Sequence, residues 1–434
     1  MLRQIIPITG LLLSTFLLLA GVGLTSVVLP LRAQLEGWST STIGWLGACF
    51  AAFFMLGCLL VPRMVLRVGH VRTYAVLAAM LCISVLLHSL FINIPLWMLA
   101  RGLGGFALAG TYMVIESWLN EQASNETRGK IFSVYMLVNL SGLVAGQFLL
   151  VTGDPATTVL FVLAGLLYAT AVIPTGLTNA VSPRPLSQNK LDIKKLFANS
   201  PVAMFGALGI GFVYGGWNFQ SAIYARDAGL TDTGIATMLA ITMAGGACFQ
   251  FPLGWISDRT DRRYVILAAV AGCVVVAGLL YLLAPEGGPL LFGLMFVFGG
   301  FFMPIYSLVV AYGNDHADPS EFVEISSGLL VVYGIGSMIG PVVAGWMMDV
   351  FGRNGLFLSV LCALLPLIVF IIIRITIRDA VPEEDRIDYN FAPPGTGLVT
   401  PERFNLDPRS DESEYSSYEE PEEDGDEQET ATAA

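Results

Sequence analysis

Arg101, Gly105, Leu108, Tyr112 and Glu116 recur at three- and four-residue steps, a spacing that puts them on one face of an α-helix. Their surroundings are apolar, and an arginine in such a stretch is costly unless it is paired or faces water. Arg101 therefore has two readings. It contacts a solute or relays a proton, or it snorkels and ties neighbouring helices through backbone carbonyls. Glu116 is the carboxylate best placed to take up and release a proton; the alternative is an interfacial Glu paired with Arg128 or another loop cation. A second cluster holds Tyr214, Trp217, Asn218, Gln220, Ser221 and Tyr224. Tyr214, Asn218 and Ser221 share a helix face with Trp217 beside them. Such residues are poor choices against lipid, whereas a cavity wall that stacks and hydrogen-bonds an organic ligand uses them well. An interfacial aromatic belt is the competing explanation. Asn139, Gln147, Gln250, Tyr306 and Tyr333 are further candidates for the same wall, or for polar ties between helices.

The elements that must position these residues are long and apolar. The chain has 434 residues, 55% of them hydrophobic and 13% charged, about half the roughly 25% charge of soluble domains. Windows without Asp, Glu, Lys or Arg occur at 5–29, 42–62, 73–100, 131–153, 155–183, 196–225, 233–257, 264–285, 287–314, 325–348 and 354–373. A segment at 94–115 makes a twelfth if Arg101 is admitted. About 20 apolar residues cross a bilayer core as a helix, and backbone in lipid must bond internally. The expected fold is therefore an all-α polytopic membrane protein with twelve spans, numbered one to twelve in chain order. The first window is too long for a signal-peptide core and is read as a span.

With the N-terminus inside, the inner connections before the tail hold 13 Lys and Arg and the outer ones hold 3. The positive-inside rule then puts both termini in the cytoplasm. The expected divisions are an N-terminal six-helix bundle at 1–176, a linker at 177–200, a second bundle at 201–375 and a disordered acidic tail at 376–434. The net charge of −12 belongs to that tail, which carries −14, while residues 1–375 carry +2. Nothing in this balance suggests a nucleic-acid partner. The six cysteines lack metal or redox spacing and read as small packing residues, and the three histidines are scattered. No metal site and no cofactor is expected.

The halves also echo one another. Ser133, Gly142 and Gly146 of span five match Ser327, Gly336 and Gly340 of span eleven at an offset of 194 residues. Arg72-Thr-Tyr-Ala-Val-Leu-Ala-Ala resembles Arg262-Arg-Tyr-Val-Ile-Leu-Ala-Ala. Glycines four residues apart let a second helix approach closely. Paired six-span halves are a transporter signature, with the site near the midplane between them.

Particular motifs add a family resemblance. Gly254, Asp258, Arg259, Arg262 and Arg263, on the connection after span eight, resemble the cytoplasmic GxxxDRxxRR gating motif of the major facilitator superfamily. Arg101-Gly-Leu-Gly-Gly105 resembles its intramembrane Arg motif, and Gly336-Ser-Met-Ile-Gly340-Pro341 its Gly-Pro helix motif. The Gly-Pro lies in span eleven and not span five, so the antiporter reading attached to that motif does not follow. The first-half loop departs from the pattern, with Leu66 where the motif has Asp. Glu116-Ser-Trp, Arg128-Gly-Lys130 and Gly146-Gln147 resemble the YcaD-like bacterial branch. The superfamily resemblance implies two pseudo-symmetric six-helix bundles and alternating-access secondary transport, with spans one, four, seven and ten lining the cavity.

The leading expectation is a secondary carrier of a small organic solute in the bacterial inner (plasma) membrane. It is expected to be monomeric, with protons as a possible coupling ion. A polytopic membrane enzyme or a non-transporting receptor or scaffold is the alternative. An enzyme would need a constellation such as His plus Asp or Glu at a membrane face, which His70, His88 and His316 do not offer. No GxxxxGK[ST] phosphate loop encodes an ATP-driven engine. Few charges reach the midplane, which favours a neutral, amphiphilic or singly charged solute. Arg63 and Arg67, on the loop after span two, face the acidic stretch before span eleven with Asp315 and Glu321. The four are read as an inner-gate latch of opposite charges.

Overall fold

The computed structural model describes residues 8–122, 127–177, 196–197, 199–315 and 322–377. Most of the expected linker and nearly all of the acidic tail lie outside them. Among the described residues there are no strands, and twelve helical spans are long and apolar enough to cross a membrane. The spans are Thr9–Leu35, Thr40–Val68, His70–Leu90, Ile94–Glu121, Arg128–Phe148 with a 3-10 turn at Leu149–Thr152, and Val159–Gly176. The second half repeats the series at Pro201–Asp227, Asp232–Arg259, Arg262–Leu283, Gly288–Phe302 continued by Ile305–Asn314, Phe322–Phe351 and Gly355–Ile377.

Local chemistry sets several boundaries. Asn93 caps span four by accepting from the Leu96 N–H, with proline in the first turn, and so divides the continuous apolar window 73–100 into two helices. Ser39, Ser200, Thr231 and Asp261 cap spans two, seven, eight and nine in the same manner, each meeting a backbone N–H that the helix itself leaves free. Pro304 has no N–H to continue the ladder and interrupts span ten. The Met303 carbonyl at that break accepts from the Tyr214 hydroxyl at 3.2 Å.

The 194-residue echo is a repeat in three dimensions. A Cβ on Gly146 would meet the Ala20 carbonyl oxygen of span one at 2.0 Å, and one on Gly340 would meet the Phe212 oxygen of span seven at 2.0 Å. Gly105 against Phe50 in the first half corresponds to Gly299 against Thr242 in the second, at 2.2 and 1.9 Å. Arg32 and Arg226, also 194 apart, each close a salt bridge of 2.6 Å at the end of spans one and seven. Spans one with five, two with four, seven with eleven and eight with ten are thus packed backbone to backbone by the same device.

The two halves are joined at the end of the molecule that carries Asp349. Its carboxylate accepts from the Thr40 N–H at 2.8 Å, the Thr40 hydroxyl at 2.6 Å and the Ser41 N–H at 3.0 Å. Gln220 Nε2 donates to the carbonyls of Thr40 and Pro341 at 3.0 and 3.3 Å, and Gln34 donates to Asp227 at 2.7 Å. Gly44 and Gly47 of span two lie against Pro341 of span eleven. The bundle is closed at this end.

Candidate functional site

A cavity lies between the two halves. Its wall draws on spans one to eight together with Met303 of span ten and Ser337 of span eleven. The free space is about 90 Å³, well under the roughly 300–1,000 Å³ of most ligand pockets, so the cavity is narrow. Six of the sequence candidates meet on its wall: Arg101, Tyr112, Tyr214, Trp217, Asn218 and Ser221. Gln147 joins them, its amide 3.9 Å from Met243 Sδ across the halves.

Arg101 is the charged group of that wall. Its guanidinium carbon stands 4.4 Å from the Phe50 ring centroid and 5.0 Å from that of Phe219. The two rings, one from each half, meet edge to face at 5.7 Å. Among the described residues no carboxylate lies within ion-pair distance of it. Cation–π contacts supply about 0.5–2 kcal/mol and leave the guanidinium's N–H donors open. Of the two readings of Arg101, this geometry matches a group facing a cavity. Trp217 is held from behind by Phe298 and Phe302, with centroids at 5.6 and 6.1 Å. Asn218 is half-buried on the same face.

Other candidates are elsewhere. Tyr306 and Tyr333 are buried behind the wall, their rings 4.8 Å apart, with Tyr333 5.9 Å from Tyr214. Gln250 is fully buried and donates to Ser307 at 3.0 Å, a tie between spans eight and ten. Asn139 is buried in span five away from the cavity. Glu116 is buried off the wall and accepts from the Tyr135 hydroxyl at 3.0 Å; the side chain of Arg128 lies outside the described residues.

The gating motif is gathered around Arg262. Its guanidinium is buried and meets Asp315 Oδ2 at 2.8 Å, Asp258 Oδ1 at 3.2 Å and Ser257 Oγ at 3.3 Å. Arg263 is bound by Asp261, the cap of span nine, and Arg259 stacks 4.3 Å from the Trp255 ring. Gly254 is buried in the last turns of span eight. Asp315 is thus engaged within its own half and not by Arg63 or Arg67, which are exposed. Glu321 lies outside the described residues.

Sequence reasoning missed several wall residues: Thr25, Phe50, His88, Tyr168 and Phe219. Tyr168 and Thr25 share a hydrogen bond of 3.0 Å, and Gly21 leaves the room that the Tyr168 ring occupies. The three histidines are scattered without zinc-ligand spacing, which gives His88 no signal of that kind. The Ser84–His88 step, polar residues one turn apart in an apolar span, was the available signal.

The sequence model of the Major Facilitator Superfamily matches residues 11–330. The chain belongs to the Major Facilitator Superfamily. An uncharacterised MFS-type transporter of Enterobacter sp. (strain 638) is 25% identical over 82% of this chain and 92% of its own length. The MFS-type transporter YcaD of Escherichia fergusonii is 24% identical over the same shares. Among solved structures, the nucleoside transporter NupG superposes with a TM-score of 0.74 at 14% identity, covering 86% of this chain and all of NupG. A bacterial homologue of the human lysosomal transporter Spinster, inward-facing and unoccupied, gives 0.66 at 15%, over 85% of this chain and 95% of that one. These structures share the superfamily's fold. The chain is an integral multi-pass membrane transporter of that superfamily, and not an enzyme.

Proposed function

We propose that this transporter is a secondary carrier that moves a small organic solute across the plasma membrane by alternating access, with one site in the cavity between its halves. The observation that carries this reading is Arg101, open to the cavity and flanked by Phe50 and Phe219 from opposite halves. A solute that meets this group touches both halves at once, which is what rocking of the halves around a central site requires. Trp217, Tyr214 and Asn218 supply stacking and a hydrogen bond beside it. The Lys and Arg bias puts both termini and the Arg262 end in the cytoplasm, so the closed Asp349 end faces outward. Closure of the Arg262 end would bring Arg63 and Arg67 toward the acidic start of span eleven. The carrier works as a monomer. Glu116, the sequence-derived candidate for proton coupling, lies one layer behind the wall.

Purified protein in proteoliposomes should show saturable, substrate-specific counterflow that Arg101→Gln abolishes while the protein still folds and inserts. Flux unaffected by Arg101→Gln would remove Arg101 from the site. In intact cells, cysteines at Ser187 and Ser410 should be labelled only from the cytoplasm; labelling from outside would overturn the orientation.

A further inference from the structure

The described wall of the cavity holds no Asp or Glu. A proton that travels in contact with the solute must therefore sit on another group. Histidine is the residue whose ordinary titration falls near neutrality, and His88 is on this wall. It is buried, packed edge to face on Trp97 at 4.9 Å, and its Nδ1 lies 2.6 Å from the Ser84 carbonyl oxygen. A carbonyl only accepts, so Nδ1 carries the hydrogen of the neutral ring. Nε2 is then the basic nitrogen, and among the described residues it has no hydrogen-bond partner. Trp97 is one helical turn from Arg101, and Ser84 donates to Ala100 at 2.6 Å, so spans three and four hold the imidazole and the guanidinium in fixed register on one cavity. The other titratable groups lining it are Tyr112 of span four, Tyr168 of span six and Tyr214 of span seven. Span two contributes Phe50 to this wall, and Cys82 of span three lies against Gly165 of span six.

We propose that Arg101 and His88 together form an organic-acid site, in which Arg101 holds the anion of the solute and His88 Nε2 holds one co-transported proton. This deepens the carrier reading above and rests on it. Without a solute, protonated His88 and Arg101 would be two cations on one narrow cavity, which repel. An anion between them offsets both charges. Proton and anion therefore each favour the binding of the other, and by linkage they do so equally. One proton from the compartment to which the cavity opens adds to Nε2 as the anion enters. Both leave together on the other side, so each turn carries no net charge. The rings of Phe50, Phe219 and Trp217 receive the apolar body of the acid, which favours an aromatic or otherwise apolar monocarboxylate.

The test uses purified full-length protein and matched probes: benzoate and phenylacetate against benzamide and phenylacetamide, which keep the shape and lose the charge. Binding is read by quenching of tryptophan fluorescence from pH 6 to pH 8. The acids should bind and the amides should not. For the wild type, acid affinity should fall by up to about tenfold per pH unit, the limit for one linked proton. Arg101→Gln should lose acid binding, and Arg101→Lys should recover part of it. His88→Gln should bind acids weakly at all pH values, with the slope gone. The wild-type arm needs no variant to fold. Amides that bind as well as acids, acids that do not bind, a wild type indifferent to pH, or a His88→Gln protein that keeps the slope would each overturn the proposal. Proteoliposomes from the same preparation separate the two levels of the argument. Uptake of neutral solutes alone overturns the acid site and leaves the carrier standing, whereas failure to move any solute removes the carrier reading and the acid site with it.

Discussion

At the scale of single residues, position on or behind the wall decides what a substitution does. Asn218 faces the cavity from span seven, and among the described residues its amide has no hydrogen-bond partner. Asn218→Leu keeps the approximate volume and removes the polar group. One hydrogen bond contributes about 0.5–1.5 kcal/mol net, so solute affinity should fall about 2- to 10-fold with expression and thermal stability unchanged. Transport kinetics indistinguishable from wild type at all solute concentrations would take Asn218 off the binding surface. Glu116 sits differently, buried between spans four and five with Tyr135 donating to it. Glu116→Gln keeps an acceptor and loses the charge. It should lower the unfolding temperature and leave the pH profile of uptake as in the wild type. A Gln variant whose uptake no longer responds to pH would instead move the proton site from His88 to Glu116. The sequence put Arg101, Tyr112 and Glu116 on one face of span four, and the first two do reach the cavity. What it could not give was how far along that face the cavity extends, because this depends on which helix crosses at Tyr135. His88 was hidden for a related reason: its role follows from the neighbour across the helix gap, Arg101, and not from its own spacing.

At the scale of elements, the twelve spans were legible because lipid leaves the backbone no partner but itself, so uninterrupted apolar windows must be helices. The exact ends were less legible. Spans two, four and eight continue past their apolar windows to Val68, Glu121 and Arg259, since intrahelical bonds and not hydropathy determine where a helix stops. The glycine echo between spans five and eleven carried more information than its brevity suggested. It identifies the backbone-to-backbone crossings of spans one with five and seven with eleven. Gly340→Val would force its side chain onto the Phe212 carbonyl, where even a Cβ would lie at 2.0 Å. Neither helix can yield by turning a side chain. Overpacking of this kind costs about 1–3 kcal/mol, so the variant should unfold at a clearly lower temperature. Gly293→Ala, where a Cβ meets nothing within 4 Å, serves as the control and should match the wild type. Equal unfolding temperatures for the two variants would mean that the crossing adjusts more freely than its geometry implies.

At the scale of the whole molecule, the closed end is a helix terminus of one half held by a carboxylate of the other. Asp349, near the end of span eleven, receives both of the first backbone N–H groups of span two and the Thr40 hydroxyl. The start of a helix carries partial positive charge, so this contact combines charge with directed hydrogen bonds. In the proposed transport cycle it must break each time that end opens. Bonds to a charged acceptor contribute about 1.5–3 kcal/mol, and a loss of about 2 kcal/mol shifts a two-state population roughly 30-fold. Asp349→Ala should therefore populate the conformation open at this end, while Asp349→Asn, which keeps one acceptor oxygen, should lie between. Thr40→Ala removes only the hydroxyl bond and should have the smallest effect. The readout is a single cysteine at Ser221, buried on the cavity wall, in a chain whose six native cysteines have been replaced. A membrane-impermeant maleimide applied outside should label it slowly in the parent and much faster with Asp349→Ala. Gln220 also bonds to Thr40 and Pro341, so some closure survives the loss of Asp349, and the labelling rate should rise further when Gln220→Ala is added. Labelling from outside that is as slow with Asp349→Ala as without it would mean that the close packing of Gly44 and Gly47 on Pro341 holds the end shut, with the carboxylate contributing only to the register of the two helices.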